Sequence, residues 1–417
     1  MTTTAVSPPL PDAQALHPAP GVHPAVPAVP LGAAGLARAA VARAFLSRAA
    51  DRVPIRIQAP GGRLSGAGGP GSPVLVIRDQ DAFYRRLGSG TAGLAEAYMT
   101  GAWDCDDLPG LFTVLAGHVT ALVPAPLQEL RRWYIPRQPA AEDGTIEGAR
   151  HNIQRHYDLF AAFLDPGMTY SSGLFAPGDT LAGAQRRKVD ALLDRTGVGQ
   201  ATSVLEIGTG WGELAIRAAA RGAHVTTLTI SPSQWRTARR RAEAAGVADR
   251  VDVQLRDYRE AAGSYDVVLS VEMIEAVGER HWPAYFTAID RLLAPSGRAG
   301  LQAITMPHDR MLATRGGHTW IHKYIFPGGQ IPSLQAITGT LRVHTSLGVT
   351  ADYPMGQHYA RTLAEWRSRF AGAAGPVRQL RFGPTFQRMW NLYLAYCEGG
   401  FRSGYLDVHQ LVLERNR

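Results

Sequence analysis

The chain has 417 residues, of which 45% are hydrophobic and 19% charged, so it suits two globular units and is too apolar for a disordered protein. No apolar run reaches the roughly 20 residues needed to cross a bilayer, so no membrane-spanning helix is expected. Its net charge of +8 predicts attraction to a polyanion, either nucleic acid or an anionic membrane surface. Cys105 and Cys397 lack zinc or disulfide spacing, which favours a reducing cytoplasm.

The N-terminal part begins with an Ala- and Pro-rich stretch, residues 1–33, which predicts a disordered tail without signal-peptide features. The following segment, Ala34–Arg52, mixes Leu36, Val41, Phe45 and Leu46 with arginines. This spacing is typical of an amphipathic helix with a basic face. Such a helix can lie on a membrane or pack on its own domain, and the pattern leaves both readings open.

A small α+β domain is expected over residues 34–137, followed by a polar linker at 138–147. Its predicted elements are strand-like runs at Val53–Ile57 and Val74–Ile77, a glycine-rich hairpin between them at Gly61–Gly71, and helical patterns from Gln80 to Trp133. Strands and helices are thus mixed in this domain without regular alternation.

A second domain is expected over residues 148–417, where helices alternate with apolar strands. The predicted helices are Gln185–Thr196, Glu213–Arg221 and Ser233–Ala245, and the predicted strands are Ser203–Ile207, His224–Ile230, Val251–Gln254 and Tyr265–Val271. This order predicts an α/β, Rossmann-like domain with a parallel sheet between two helical layers.

A glycine-rich turn follows the first strand of this domain and carries the first candidate site. An acid ends the strand, three glycines alternate in the turn, and a helix starts at once; the candidate residues are Glu206, Gly208, Thr209, Gly210 and Gly212. Ligands of open parallel sheets bind at such strand ends. The dinucleotide fingerprint would require a further glycine where Glu213 stands. The form here resembles motif I of the class I methyltransferases, in which the acid and the glycines hold the methionine part of S-adenosylmethionine (SAM). A purely structural tight turn is the alternative.

The ends of the next two strands supply further cofactor candidates. They are Thr229, Ile230, Ser231 and Gln234 after the second strand, and Asp257 and Tyr258 after the third. In methyltransferases these positions contact the ribose and the adenine. A helix N-cap at Ser231 and a surface acid at Asp257 are the alternatives.

Several longer stretches resemble the cyclopropane fatty acid synthase family, which includes the mycolic acid cyclopropane synthases. They are Arg155–Leu159, Met168–Ser172, the glycine turn, Leu228–Gln234, Ser270–Glu275, Trp320–Pro327 and Cys397–Arg402. The resemblance extends from Arg52 to the C-terminus, and Ala95–Met99 with Trp103–Asp106 is similar to the small lipid-engaging domain of two-domain synthases. It adds Tyr157, Tyr170 and Ser171 to the candidate cofactor residues.

The resemblance implies methyl transfer from SAM to the double bond of an unsaturated acyl chain, commonly within a phospholipid. An olefin is a poor nucleophile, so the two groups must be held together away from water. Attack leaves a carbocation that aromatic faces can stabilise. The available aromatic residues are Tyr157, Tyr170, Trp320, Tyr324 and Tyr393, for each of which a place in the core is the alternative.

The family resemblance also implies a bound bicarbonate that removes the last proton, held by a cysteine, a glutamate, a histidine and a tyrosine. Glu275 and Tyr359 match two of these positions, while Ser172 replaces the cysteine and Gln302 the histidine. Neither replacement can be charged at pH 7. The sequence therefore predicts an altered proton transfer and favours a methylene- or methyl-branched product, with a cyclopropane fatty acid left open as the alternative. Cys397 matches a cysteine once assigned as a nucleophile, and a small buried apolar role is its alternative.

A second departure follows Leu159, where Phe160–Leu164 replaces a longer turn that closes over the cofactor in the family. A catalytically weakened lipid-binding paralogue and a small-molecule methyltransferase therefore stay open as alternatives. Nucleic acid is not an expected partner, because no RNP-like stretch or Asn-Pro-Pro-Tyr-type motif occurs. The expected setting is the inner face of an anionic membrane, as a peripheral protein, and a homodimer is left open.

Overall fold

The computed structural model describes residues 26–122, 157–380 and 382–416. Most of the expected tail, the end of the first expected domain near residue 137, the linker at 138–147, and Arg155 with His156 lie outside the described residues. The side chain of Tyr157 lies outside them as well. Within the described parts, no helix is long and apolar enough to cross a membrane.

The N-terminal unit is α+β, as expected. Its helices are Ala33–Ala50, Gln80–Leu87, Gly90–Met99, Leu108–Gly117 and Val119–Leu122, and its strands are β1 (Arg56–Gln58), β2 (Leu64–Ser65), β3 (Val74–Ile77) and β4 (Trp103–Cys105), in the sheet order β2-β1-β3-β4. The prediction of helical patterns from Gln80 to Trp133 missed β4, which pairs antiparallel with β3. A three-residue strand is too short to produce a readable period of two.

The first helix begins at Ala33, inside the predicted tail. Its fully buried residues are small: Gly35, Ala42, Ala49 and Ala50. Together with the partly buried Leu46 they pack the helix on its own domain. The other large apolar side chains point outward, with Leu36 53%, Val41 71% and Phe45 49% exposed.

The second unit contains a seven-stranded sheet. Its strands are β5 (Ser203–Ile207), β6 (His224–Thr229), β7 (Val251–Leu255), β8 (Tyr265–Val271), β9 (Leu293–Thr305), β10 (Leu347–Pro354) and β11 (Asp407–Arg415), in the order β10-β11-β9-β8-β5-β6-β7. Strands β5 to β9 run parallel, and β11 is antiparallel to both of its neighbours. The predicted parallel α/β sheet is confirmed, with the bounds of β5 and β8 as expected.

The helices of this unit cover the sheet, and some of them also pack against the N-terminal unit. They are Tyr157–Ala161, Leu181–Thr196, Glu213–Ala220, Pro232–Ala244, Ile274–Val277, Trp282–Leu292, His308–Thr314, Trp320–Tyr324, Leu334–His344, Gly356–Gly372, Ala374–Gln379 and Pro384–Arg402, with 3-10 turns at Tyr258–Glu260 and Glu279–His281. Two apolar clusters pack on the sheet. A third, rich in aromatic residues, contains side chains of both units.

Polar contacts join the two units at the N-terminal stretches that resemble the lipid-engaging domain. Glu96 accepts hydrogen bonds from Lys323 Nζ at 2.7 Å and from the Tyr324 hydroxyl at 3.0 Å. The Arg388 guanidinium donates to the carbonyl of Tyr98 at 2.6 Å and to that of Trp103 at 3.0 Å. With a shared apolar core beneath them, these contacts hold the N-terminal unit against the aromatic side of the methyltransferase-like unit.

Candidate active site

The glycine turn after β5 has a backbone that only glycine adopts without strain. Gly208, Gly210 and Gly212 have φ values of 98°, 51° and 93°. A Cβ atom on Gly212 would lie 3.0 Å from the Cβ of Ala238, in the helix that follows β6. The turn therefore brings two helices close to the sheet edge and leaves its backbone open to a ligand.

Glu206 lies buried directly before this turn. Its carboxylate accepts a hydrogen bond from Thr227 Oγ1 at 2.5 Å, and Thr227 in turn lies 2.7 Å from the hydroxyl of Thr209. Burial raises the pKa of Glu206 to about 8. A buried acid next to an open glycine turn fits a ligand that carries a positive charge, such as the ammonium of a methionine group.

The end of β6 is organised by short polar contacts. Thr229 Oγ1 donates to the side-chain oxygen of Gln234 at 2.7 Å. This bond holds Gln234, the residue predicted to contact the ribose, at the strand end. Ser231 is the N-cap of the next helix, as its alternative reading proposed, because its hydroxyl accepts from the Gln234 backbone at 3.4 Å. Ile230 lies half-buried between them.

Asp257 and Tyr258 follow β7. Asp257 is buried and accepts two bonds of 2.8 Å from the Arg259 guanidinium, so the surface-acid alternative does not describe it. Tyr258 packs edge-on against Tyr285 in the core, 5.5 Å between ring centroids. Their contact with an adenine stays a prediction.

Two buried polar residues that were missed from the sequence hold the Met168–Ser172 stretch. Lys188 Nζ donates to the Ser171 hydroxyl at 2.7 Å, and Gln185 Nε2 donates to the Ser171 carbonyl at 2.7 Å. Burial lowers the pKa of Lys188 to about 8. Both residues lie on the helix Leu181–Thr196, where a polar residue is ordinarily assigned to the solvent face. Gln185 and Lys188 are three residues apart and share a helix face with Leu181 and Ala184, and this spacing could have indicated that they are buried.

An aromatic cluster lies next to this stretch. Tyr170 stacks on Trp366 with centroids 5.2 Å apart, and its hydroxyl lies 2.7 Å from that of Tyr393. Phe160, from the segment that replaces the family's longer turn, lies 4.6 Å from the Tyr170 ring. Of the five predicted aromatic residues, Tyr170 and Tyr393 thus come together.

Trp320 and Tyr324 lie at other contacts. Trp320 packs edge-on against Tyr396, and Tyr324 contacts Glu96 of the N-terminal unit. Cys397 contacts the same aromatic core, and burial raises the pKa of its thiol to about 12. A thiol with this pKa is protonated at neutral pH and is a poor nucleophile, which favours the apolar reading of Cys397.

Three of the predicted catalytic residues converge on a carboxylate that the sequence interpretation passed over. Glu272, the first residue after β8, accepts hydrogen bonds from the Ser172 backbone nitrogen at 2.9 Å, from Gln302 Nε2 at 2.8 Å and from the Tyr359 hydroxyl at 2.8 Å. Ser172 contributes its backbone here, since its hydroxyl donates to the Gly173 carbonyl. The available signal was an acid directly beyond a buried parallel strand.

Glu275, the predicted glutamate, lies one helical turn further on. One of its oxygens accepts from the backbone of Ile304 at 2.5 Å, and the other is buried without a hydrogen-bond partner among the described residues. Burial, together with the nearby Glu272 carboxylate, raises the pKa of Glu275 to about 8. Glu275 is therefore mainly protonated at neutral pH.

The parallel sheet, the glycine turn and the buried acid before it define a class I methyltransferase, which uses SAM. A family model described as mycolic acid cyclopropane synthetase matches residues 145–411. The chain belongs to this family and is a SAM-dependent methyltransferase, which confirms the resemblance seen in the sequence.

Relatives and solved structures agree with this assignment. The chain is 51% identical over 405 residues to the tuberculostearic acid methyltransferase UfaA1 of Mycobacterium tuberculosis, covering 94% of this chain and 95% of the relative. It is 32% identical to the cyclopropane-fatty-acyl-phospholipid synthase of Escherichia coli, covering 82% and 87%. The structure of mycolic acid cyclopropane synthase CmaA1 complexed with SAH and CTAB matches with a TM-score of 0.58 and 29% identity, covering 63% of this chain and 97% of that one.

Proposed function

We propose that this methyltransferase adds the methyl group of SAM to the double bond of an unsaturated fatty acyl chain and releases a methylene-branched chain. The observation that carries the proposal is the aromatic cluster around Tyr170 beside the glycine turn, in a chain half identical to a protein named tuberculostearic acid methyltransferase.

The residues of the chain would divide the work. Bound SAM supplies an electrophilic methyl group. Gly208, Gly210 and Glu206 would hold its methionine part, because the turn offers open backbone and a buried acid. The rings of Tyr170 and Trp366 would exclude water and lower the energy of the cationic chain by cation–π attraction, worth about 2 kcal/mol in a desolvated site.

The product follows from how the cation on the acyl chain is discharged. Direct loss of a proton from the added methyl group closes a cyclopropane ring. A hydride shift to the neighbouring carbon first moves the charge to the methyl-bearing carbon, and proton loss then leaves a methylene branch. A saturated methyl branch requires two further electrons from a separate reductant, so the methylene chain is the product proposed for this protein.

The residues do not fit a bicarbonate bound as the family resemblance implies. Ser172, Gln302 and Tyr359 stand at three of the four expected contacts, and the donors they offer are engaged by the Glu272 carboxylate. No step through bicarbonate is therefore proposed.

Lipid analysis of a bacterial host tests the function and the product together. Cells that express the chain are fed methionine labelled with ¹³C in the methyl group, and their fatty acids are examined by mass spectrometry and NMR. We expect label in a vinylidene carbon. A labelled ring as the sole product would overturn the product, and unlabelled lipids would overturn the function.

We also propose that the helix Ala33–Ala50 docks on the inner, anionic face of a membrane. It exposes Val41 and Phe45 on one helical face, which also carries Arg38 and Arg48, and it has no acidic residue. Apolar side chains can enter the headgroup boundary while arginines contact lipid phosphates.

Vesicle flotation tests this docking. Replacing Val41 and Phe45 together by serine should lower binding to phosphatidylglycerol vesicles by about tenfold or more. Leu255→Ser, at the exposed apolar residue that ends β7, is the matched control and should bind like the unaltered chain. Equal binding of the double variant would exclude this face of the helix as the docking surface. Light scattering of the same samples tests the predicted option of a homodimer.

A further inference from the structure

We propose that Glu272 is the general base of this enzyme, a carboxylate built into the chain that removes the final proton from the methylated acyl chain. This inference rests on the proposed function, because it assigns the proton acceptor for that reaction. It also explains why Ser172 and Gln302 stand where the family resemblance implies a cysteine and a histidine.

Three hydrogen-bond donors around Glu272 form an anion-binding site, and the Glu272 carboxylate itself occupies that site. One carboxylate oxygen accepts two bonds, from the Ser172 nitrogen and Gln302 Nε2, and the other accepts one bond from Tyr359. The second oxygen thus keeps more capacity to take a proton. Gln302 cannot rotate freely, because its own side-chain oxygen accepts a bond of 2.9 Å from Gln410.

The backbone at Glu272 supports a functional role. Its φ is 49°, in the left-handed region that favours glycine, and only Met168 and Ala201 share this among the non-glycine residues described. The Glu272 nitrogen donates to the Gln302 carbonyl at 2.7 Å, which holds the strained residue in place. Non-glycine residues that keep a strained backbone are found most often at functional sites.

The position of Glu272 suits the reaction. Parallel strands β8 and β5 are neighbours, so Glu272 emerges at the same sheet edge as the glycine turn. Met273, the next residue, contacts that turn, since a Cβ on Gly208 would lie 3.6 Å from its sulfur. Tyr359, which donates to Glu272, packs edge-on against Trp366 of the aromatic cluster, with centroids 6.0 Å apart. The base is therefore adjacent to both the glycine turn and the aromatic cluster.

Two acids in one buried site do not both ionise readily, and the contacts indicate which one does. Glu272 has three donors and the buried cation Lys188 nearby, which oppose the rise in its pKa caused by burial. Glu275 has one donor and an unpartnered oxygen among the described residues. The contacts thus favour Glu272 over Glu275 as the carboxylate that ionises.

The proposed step balances without a further reactant. After methyl transfer and the hydride shift, the positive charge of the acyl chain lies on the carbon that bears the new methyl group. A C–H bond of the added methyl group breaks, its electron pair forms the carbon–carbon double bond of the methylene group, and the proton moves to a Glu272 oxygen. The neutral product leaves, and the acid returns its proton to water.

Bicarbonate binding tests the filled site without any need for turnover. The unaltered chain, Glu272→Gly and Glu272→Gln are titrated with ¹³C-labelled bicarbonate and followed by calorimetry and ¹³C NMR. We expect no binding to the unaltered chain or to Glu272→Gln, and binding to Glu272→Gly, in which glycine relieves the φ strain and frees the three donors. Equal binding of bicarbonate to the unaltered chain and to Glu272→Gly would overturn the proposal.

Turnover on vesicles of unsaturated phosphatidylglycerol, in buffer with and without bicarbonate, tests the role as base. We expect the unaltered chain to be indifferent to bicarbonate, and both variants to bind SAM but lose about 100-fold or more in turnover. Bicarbonate should restore Glu272→Gly and leave Glu272→Gln inactive. Glu279→Gln, at a partly exposed acid of the next turn, is the control expected to keep full turnover.

The outcomes separate the two proposals. An unaltered chain that methylates no lipid contradicts the proposed function, and the bicarbonate titration still decides whether the site is filled. An active chain that requires bicarbonate, or a fully active Glu272→Gln, contradicts the role of Glu272 alone. Because Glu272→Gln keeps the size of the side chain, a failure of Glu272→Gly to fold does not remove the test.

Discussion

Two turns at the same edge of the sheet differ in the residues that they place at positive φ, and so in the space that they leave for a ligand. After β5 the chain uses Gly208, Gly210 and Gly212 wherever φ is positive, and so leaves room for a ligand. After β8 it places Glu272 at a positive φ and fills the space with a carboxylate. The first turn leaves space for a bound ligand, whereas the second contributes a carboxylate of the chain itself. Substitutions at the two turns should therefore act differently on binding and on chemistry.

The largest effect on the first turn is expected from Gly212→Ala. The new Cβ would meet Ala238 at 3.0 Å and would stand at φ 93°, so we expect a loss of roughly 2–4 kcal/mol in the free energy of unfolding and weaker SAM binding. Urea unfolding and calorimetric titration measure these. Gly246→Ala, at φ 68° with open space around it, is the control and should cost about 1 kcal/mol. Equal losses would mean that the close approach to Ala238 is unimportant.

A more gradual effect, smaller within any one pH unit, is expected from the buried acid before this turn. Burial raises the pKa of Glu206 from 4.5 to about 8, so the folded chain keeps a proton that the unfolded chain releases in this range. Its contribution to stability is complete below pH 4.5 and is lost as the pH rises through 8, by at most ~1.4 kcal/mol per pH unit.

Thermal unfolding between pH 5 and 8 without SAM checks this sign. Glu206→Gln should flatten the decline, because an amide does not titrate, whereas Glu243→Gln, on an exposed helical surface, should leave it unchanged. A decline of the same slope in Glu206→Gln would assign the pH dependence to other groups.

The smallest effect is expected at Cys397. Its pKa of about 12 leaves almost no thiolate at neutral pH, so Cys397→Ala should change turnover on lipid vesicles by less than about threefold. Cys105→Ala, in the N-terminal unit, serves as the comparison. A variant as inactive as Glu272→Gln would restore the nucleophile reading of Cys397 and weaken the case for the second turn.

Much of the fold was readable because its signals are local. Apolar strands of five to seven residues, glycines after β5 and alternating helices are set by backbone preference and hydrophobic period, and β5 and β8 have the expected bounds. Strand β4 and the outward-facing Leu36, Val41 and Phe45 were not readable, because neither follows the period of its own segment.

The sequence by itself determined the family, and it predicted the cofactor edge and named three of the residues around the acid. Only the tertiary structure decided which carboxylate they serve. Ser172, Gln302 and Tyr359 lie far apart in the sequence, yet their donors meet on Glu272. They meet because the sheet pairs β8 with β9, which carries Gln302, and because the helix Gly356–Gly372 brings Tyr359 to the same place. Hydrogen bonding depends on distance in space, which no local pattern records. The same reason hid Lys188 and Gln185, whose burial is set by the stretch that packs over them.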